Sequence, residues 1–386
     1  MTCIYTLTSA LHDPSAIDKA SKEFLAGIFP DGDYTLKGED YSDFGSHLLD
    51  LIFVRTGGTE GIFIKLLPEL EAKGVKHFYL LTSGGSNSLA ASMEILSYLN
   101  QRGLSGEILH GGRDAVAGRI AVARALHRLH GLRLGVLGKP SDWLISSAAD
   151  YGTVREKLGI EIVDIPMEEV CAAVASNMPS ESDGLPGAEG IYKALGEIVN
   201  ARSLDGFTIR CFDLLTAFRN TGCLALARFN AEGIPAGCEG DVPALLAMTL
   251  ANALTDTTGF MANPSRIDAA SGRIVFAHCT VPLNMVSGIE YDTHFESGLG
   301  IGIRGHIPEG PVTIFKVSGD LRRAFAAEGE IVRNLREPNL CRTQIEIQLD
   351  DPSLVDSYFL SNPIGNHHII VPGRVADELL SLCRNS

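Results

Sequence analysis

Along the first third of the chain, short apolar runs end in Gly- or Ser-rich turns, and each turn opens a segment with helical periodicity. Leu48–Val54 leads through Arg55-Thr56-Gly57-Gly58-Thr59 into a helix over Gly61–Lys73. His77–Leu81 leads through Thr82–Asn87 into a helix over Ser88–Gln101, and Gly106–His110 precedes a basic helix over Ala115–His130. Strands that feed turns and then helices predict a parallel α/β sheet. The pattern restarts at Leu132–Leu137, runs through Lys139-Pro140-Ser141-Asp142-Trp143, and reaches a strand at Ile160–Ile165. Pro179–Gly190 reads as a loop because Pro, Gly, Ser and acids collect there. A helix over Ile191–Arg202, a strand over Gly206–Cys211 and the apolar helix Val242–Leu254 follow.

After Met285 the texture changes to short β-prone runs: Gly298–Arg304, Pro311–Val317, Gly329–Leu335, Thr343–Leu349 and Asn366–Val371. A short helix near Asp320–Ala327 and a terminal one over Val375–Cys383 interrupt them. The expected fold class is therefore α/β, with α/β domains over 1–130 and 131–285 and a small β-rich domain, a barrel or a sandwich, over 286–386.

Composition fits a globular protein with a large core: 386 residues, 45% hydrophobic and 20% charged. The net charge of −15, with no Lys/Arg cluster, argues against a nucleic-acid groove. No run approaches the roughly 20 apolar residues of a membrane span. Met1–Leu11 lacks the charged and apolar regions of a secretory signal, so the expectation is a cytoplasmic protein. The eight cysteines are dispersed without a C-x-x-C pair, which predicts reduced thiols rather than disulfides or a zinc ribbon. Thr82–Asn87 matches neither phosphate-binding glycine pattern, so no nucleotide cofactor is expected.

Candidate chemistry concentrates in four segments. Gly237-Cys238-Glu239-Gly240-Asp241 opens the helix at Val242, with Asp241 as its N-cap and Pro243 in the first turn. Glu239 then lies near the helix's positive end, either as a simple capping charge or as a functional carboxylate. Asn263 ends a strand Gly259–Ala262 that Pro264 stops, and His278 follows the buried strand Ile274–Ala277. All three fall at predicted strand ends, the edge where α/β sheets build sites. His367 and His368 are consecutive on a β-prone run, so only one faces a given site, and Asn366 is a candidate partner for it.

Cys238-Glu239-Gly240-Asp241 within Thr221–Leu254, Lys139–Ile145, His294-Phe295-Glu296-Ser297, Pro311-Val312-Thr313 and Asn366-His367…Pro372-Gly373 resemble the L-fucose isomerase family and, more distantly, L-arabinose isomerase. The resemblance runs through roughly the last two thirds of the chain, in order and spacing. It implies two Rossmann-like α/β domains followed by a C-terminal β-barrel, Mn²⁺-type divalent-metal chemistry, and a homo-oligomer, trimer or hexamer. It places metal ligands on Glu239 and His367, with His278 resembling a further metal histidine of the arabinose isomerases. Asn366, Glu296 and His368 become candidate substrate contacts.

The family's second metal carboxylate falls on Asn263, an amide that adds no charge and takes no proton. Asp268 and Asp241 are nearby carboxylates that do not match by position. The implied function is a metal-dependent aldose–ketose isomerase acting on a sugar through an enediol, with Glu239 and Asn263 as catalytic residues. An epimerase, a C–C lyase or a non-catalytic sugar-binding protein are the alternatives that Asn263 keeps open.

Overall fold

The computed structural model describes residues 1–385. Chain contacts resolve it into two compact units, Met1–Arg124 and Ala125–Ser386.

The first unit is a five-stranded parallel sheet in the order β2-β1-β3-β4-β5. Its elements are β1 (Thr2–Leu7), α1 (Pro14–Ile28), β2 (Tyr34–Gly38), β3 (Leu49–Val54), α2 (Glu60–Ala72), β4 (His77–Thr82), α3 (Ser88–Gln101) and β5 (Ser105–His110), and α4 (Arg113–Leu129) closes it. Strand alternation divides its core between two faces. Cys3, Tyr5, Ile52 and Val54 pack with Phe63 of α2 and Ile95 of α3. Ile4, Leu51 and Phe53 pack with Leu25 of α1 and Val116 of α4. The strand–helix reading of Leu48–His130 is borne out. The elements before Leu49 were not anticipated, although Asp13 caps α1 through the Ala16 N–H and Pro14 occupies its first turn.

The second unit begins with a parallel sheet in the order β7-β6-β8-β9. It is built from β6 (Arg133–Leu137), α5 (Tyr151–Leu158), β7 (Glu161–Ile165), α6 (Met167–Asn177), α7 (Leu185–Arg202), β8 (Gly206–Ile209), α8 (Phe212–Phe218), α9 (Cys223–Ala231) and β9 (Ala236–Gly237). The loop expected over Pro179–Gly190 ends at Gly184, where α7 begins with Pro186 in its first turn. Gly187 and Gly190, which suggested a loop, lie inside the helix. A Cβ on Gly190 would stand 2.8 Å from Asn177 O, so the glycine serves close packing.

α10 (Val242–Thr255) then leads into a closed antiparallel barrel, β10-β11-β16-β15-β14-β17. Its strands are β10 (Phe260–Asp268), β11 (Arg273–His278), β14 (Gly310–Val317), β15 (Ala324–Asn334), β16 (Thr343–Leu349) and β17 (His368–Pro372). A two-stranded ribbon, β12 (Gly288–Asp292) and β13 (Gly302–His306), precedes β14, and α11 (Ala376–Asn385) follows β17. The β-rich region is thus a barrel, and it draws two strands from upstream of residue 286.

The structure departs from three expectations. No helix forms at Asp320–Ala327. Ser318 and Asp320 close a turn, with the Arg322 N–H donating to Asp320 Oδ1, and β15 starts at Ala324 opposite Val317. Its Phe325 and Ala327 alternate into the barrel core. Secondly, β10 does not stop at Pro264 but continues to Asp268 through a bulge between Pro264 and Arg266. Pairing with β17 ends at Ala262, so the missing Pro264 N–H faces no partner strand on that side. Lastly, Asn263 and His278 sit on neighbouring barrel strands, whereas Glu239 follows the parallel sheet, so the three do not share one sheet edge.

Candidate metal centre

Glu239 occupies a tight turn between β9 and α10 with φ +62, a left-handed conformation uncommon for a residue with a side chain. The neighbouring backbone over-determines it. Its carbonyl accepts the Ser141 N–H at 2.9 Å, and the Gly240 N–H donates to Ile209 O at 2.9 Å. Gly240 is required, because a Cβ there would stand 2.6 Å from Lys139 O. The Lys139–Trp143 segment after β6 therefore clamps the carboxylate's loop, and Trp143 Nε1 donates to Glu239 Oε2 at 2.6 Å.

The other carboxylate oxygen faces two imidazoles. His278 Nε2 is 3.9 Å and His367 Nε2 is 3.4 Å from Glu239 Oε1, with the rings edge-to-face at 5.5 Å. One ligand atom from each of Glu239, His278 and His367 lies within 4.8 Å of the others. Burial alone would raise the Glu239 pKa. The nearby imidazoles of His278 and His367 outweigh it and hold the carboxyl well below the usual range.

Each histidine has a partner on its other nitrogen. His278 Nδ1 lies 2.9 Å from Thr280 Oγ1. His367 Nδ1 donates to Asp241 Oδ2 at 2.8 Å. Asp241 keeps its expected capping role through Oδ1, which accepts the Ala244 N–H at 2.9 Å. It is thus both helix cap and orienter of His367, the role expected of Asn366. Asn366 instead is exposed, and its carbonyl accepts from His368 Nδ1.

His367 is wholly buried, which by itself lowers its pKa, but Asp241 and Glu239 raise it to about 9. Burial raises Asp241, yet Lys316 and His367 bring it down to about 2. His367 Nε2 is a buried nitrogen without a hydrogen-bond partner. An orphaned imidazole nitrogen facing a carboxylate and a second imidazole suits a divalent cation with N/O ligands.

Strand alternation decides between the two consecutive histidines. His368 points away from this cluster, among Phe276, Phe325, Tyr358 and Phe359. Its Nδ1–H serves Asn366 O, so Nε2 accepts from Tyr358 Oη at 3.0 Å. Burial first, then the Lys316 charge, pushes its pKa down to about 3. His368, another candidate substrate contact, is a neutral core residue on the side away from the cluster. Asp268 is exposed in the β10–β11 turn and bonds Ser271, far from standing in for Asn263.

Beside the cluster lies a pocket of about 80 Å³ whose wall includes Glu239, Asn263, His278, His294 and Glu296. Cys211, Cys223, Cys238, Cys279 and Cys341 also line it. Five cysteines that are scattered in sequence thus gather at one pocket, with Cys211 Sγ and Cys238 Sγ 2.9 Å apart. All are free thiols, as expected, but their convergence was missed. The available signal was that Cys238 and Cys279 adjoin Glu239 and His278. Phe212 stacks edge-on between Trp143 and His294, completing an aromatic rim.

These features define a mixed α/β protein whose second unit joins a parallel sheet to a closed barrel at a carboxylate–imidazole cluster. No family model matches the chain. Sulfoquinovose isomerase from Priestia aryabhattai and sulfoquinovose isomerase from Priestia megaterium (strain ATCC 12872 / QMB1551) are each 23% identical to it over 294 residues. Each match covers 69% of this chain and 65% of the relative, just under two thirds of the relatives' length. Similarity to a sugar isomerase agrees with the broader resemblance read from the motifs. No helix of the described residues is long and apolar enough to cross a membrane.

Proposed function

We propose that the protein is a metal-dependent aldose–ketose isomerase acting on a sugar or sugar derivative. The observation that carries this reading is the orphaned His367 Nε2, aimed with His278 Nε2 at one oxygen of Glu239 beside a pocket. Glu239, His278 and His367 would hold a divalent ion of the Mn²⁺ type, with Asn263 as a neutral oxygen donor. Such an ion supplies the Lewis acidity that polarises a sugar carbonyl and its neighbouring hydroxyl.

The chain's own residues do the rest. Glu239 is ionised, with Oε2 bonded by Trp143 and Oε1 facing the two imidazoles, and it would take the proton from C2 of an open-chain aldose and return it to C1. Moving the hydroxyl proton between O1 and O2 needs a second acid–base group, which an amide cannot be. Glu296 is the other carboxylate on the pocket wall and takes that role. Asn263 orients a hydroxyl through its amide. Trp143 holds Glu239 in place and, with Phe212, offers aromatic faces to the sugar's C–H surface. The substitution of an amide at Asn263 also favours a second reading, epimerisation or C–C cleavage through the same enediolate.

Ketose formation from a panel of neutral, acidic and sulfonated aldoses with Mn²⁺, compared between the wild type and Glu239→Gln, tests the proposal. Turnover by the wild type that Glu239→Gln abolishes is the expected result. A wild type that retains no divalent ion and turns over no aldose overturns it.

A further inference from the structure

Lys316 is a buried cation that the proposed reaction does not use. It is 1% exposed, and its Nζ makes no hydrogen bond. The nearest charge is Asp241 Oδ2, at 3.6 Å. On β14 it continues the face of Val312 and Ile314, both members of the barrel core, so the alternation calls for an apolar residue here. Burying an ammonium with no hydrogen bond and a single ionic contact is unfavourable, and an apolar side chain of similar length would avoid it.

The lysine's one ionic contact reaches the candidate metal centre through a single intermediate. Asp241 Oδ1 is taken by the Ala244 N–H, and Oδ2 is shared between His367 Nδ1 and Lys316 Nζ. The carboxylate is therefore pinned from two sides in the rotamer that receives His367. That contact, in turn, fixes which way His367 Nε2 points. Partners behind a ligating histidine set its orientation and tautomer.

We propose that Lys316 is a positioning residue: through Asp241 it aims His367 Nε2 at Glu239 and His278. This rests on the reading of that cluster as a metal centre.

The test is Mn²⁺ affinity of the full-length protein, measured by calorimetry and by the Mn²⁺ electron paramagnetic resonance signal, with Tm of the metal-free protein alongside. Lys316→Met, with Lys316→Gln as a second neutral variant should the first fail to fold, is expected to bind Mn²⁺ about 10–100-fold more weakly. Its metal-free Tm should change little, because the buried Asp241 keeps the Ala244 N–H and His367 as partners. In an Asp241→Asn background the same change should cause little further loss, since Lys316 acts through Asp241. Neutral variants that bind Mn²⁺ within twofold of the wild type overturn the proposal. So do variants that lose affinity and Tm together, which marks a packing role, and an undiminished loss in the Asp241→Asn background. If the affinity pattern holds but no aldose is isomerised, the proposed reaction falls and the positioning role stands. A wild type that binds no divalent ion overturns both.

Discussion

Among the described residues, two clusters bring metal-capable side chains within 4.8 Å: Cys3/His47/Asp50 in the first unit and Glu239/His278/His367 further along the chain. By donor type the Cys3 cluster is the better zinc site, with sulfur, nitrogen and oxygen together. Its surroundings argue otherwise. His47 Nδ1 bonds Asp50 Oδ1 at 2.9 Å, and Asp50 Oδ2 accepts the Gly45 N–H at 2.6 Å. Asp43 accepts from Tyr5 Oη at 2.8 Å and from Lys37 Nζ at 2.5 Å, so a lysine already supplies the local positive charge. The network is closed on itself.

Around Glu239 the opposite holds. His367 Nε2, Lys316 Nζ and Ser141 Oγ are three of the six buried side-chain atoms without a hydrogen-bond partner among the described residues. All three belong to the site or to the residues that brace it. Proximity of donors is common, whereas unmet hydrogen-bonding capacity in buried side chains is not.

The sharpest way to break this comparison is to remove ligands from each cluster and count bound metal. Glu239→Gln and His367→Ala should each abolish retained Mn²⁺ by elemental analysis and lower turnover by about 10²–10⁴-fold. Cys3→Ser with His47→Ala should leave metal stoichiometry unchanged. A reversal of that pattern would assign the metal to the first unit.

Asn263→Asp adds the missing negative charge and should tighten Mn²⁺ by about tenfold, or ~1.4 kcal/mol, in a calorimetric titration. Unchanged affinity would place Asn263 outside the ligand set. If turnover falls while affinity rises, the amide serves a different reaction.

Acidity provides a third lever. His367 is raised to about 9 without metal, so its proton must leave before Nε2 can ligate. Mn²⁺ affinity should therefore climb from about pH 7 toward about pH 9, with proton release detected by titration in buffers of different ionisation enthalpy. For the metal-free protein the sign is opposite. A raised folded-state pKa stabilises fully below the unfolded value near 6.5 and is lost as pH rises through about 9, so Tm should fall across that window. The smallest effect is optical. Trp143 is the chain's single tryptophan and donates to Glu239, so Mn²⁺ should change its emission by tens of per cent at most, given its half-exposed ring. Trp143→Phe should lower turnover only several-fold.

Much of the fold was legible. Turn chemistry and strand periodicity located the parallel α/β elements from Leu48 onward, and the run of short strands after Met285 announced a barrel or sandwich. The failures have local causes. Gly187 and Gly190 imitate a loop because helix packing and turn formation both favour glycine. A turn and strand stand where a short helix near Asp320–Ala327 is expected, because Ser and Asp side chains favour hairpin turns as well as helix starts. Pro264 imitates a strand end because its cost vanishes only where no second strand pairs, a fact of sheet topology.

The sequence by itself singled out a carboxylate in a Gly-braced turn before an apolar helix and two histidine segments, which follow from residue type and near neighbours, and the family resemblance added an amide at the position of a second carboxylate. The tertiary structure alone decided that His367 rather than His368 faces Glu239, that Asp241 and Lys316 stand behind it, and that five distant cysteines share a pocket. Side-chain direction on adjacent strand residues is opposite, and closing the barrel fixes which face meets the parallel sheet. No local pattern in the chain records that closure, because it is set by hydrogen bonding between strands more than a hundred residues apart, from β10 to β17.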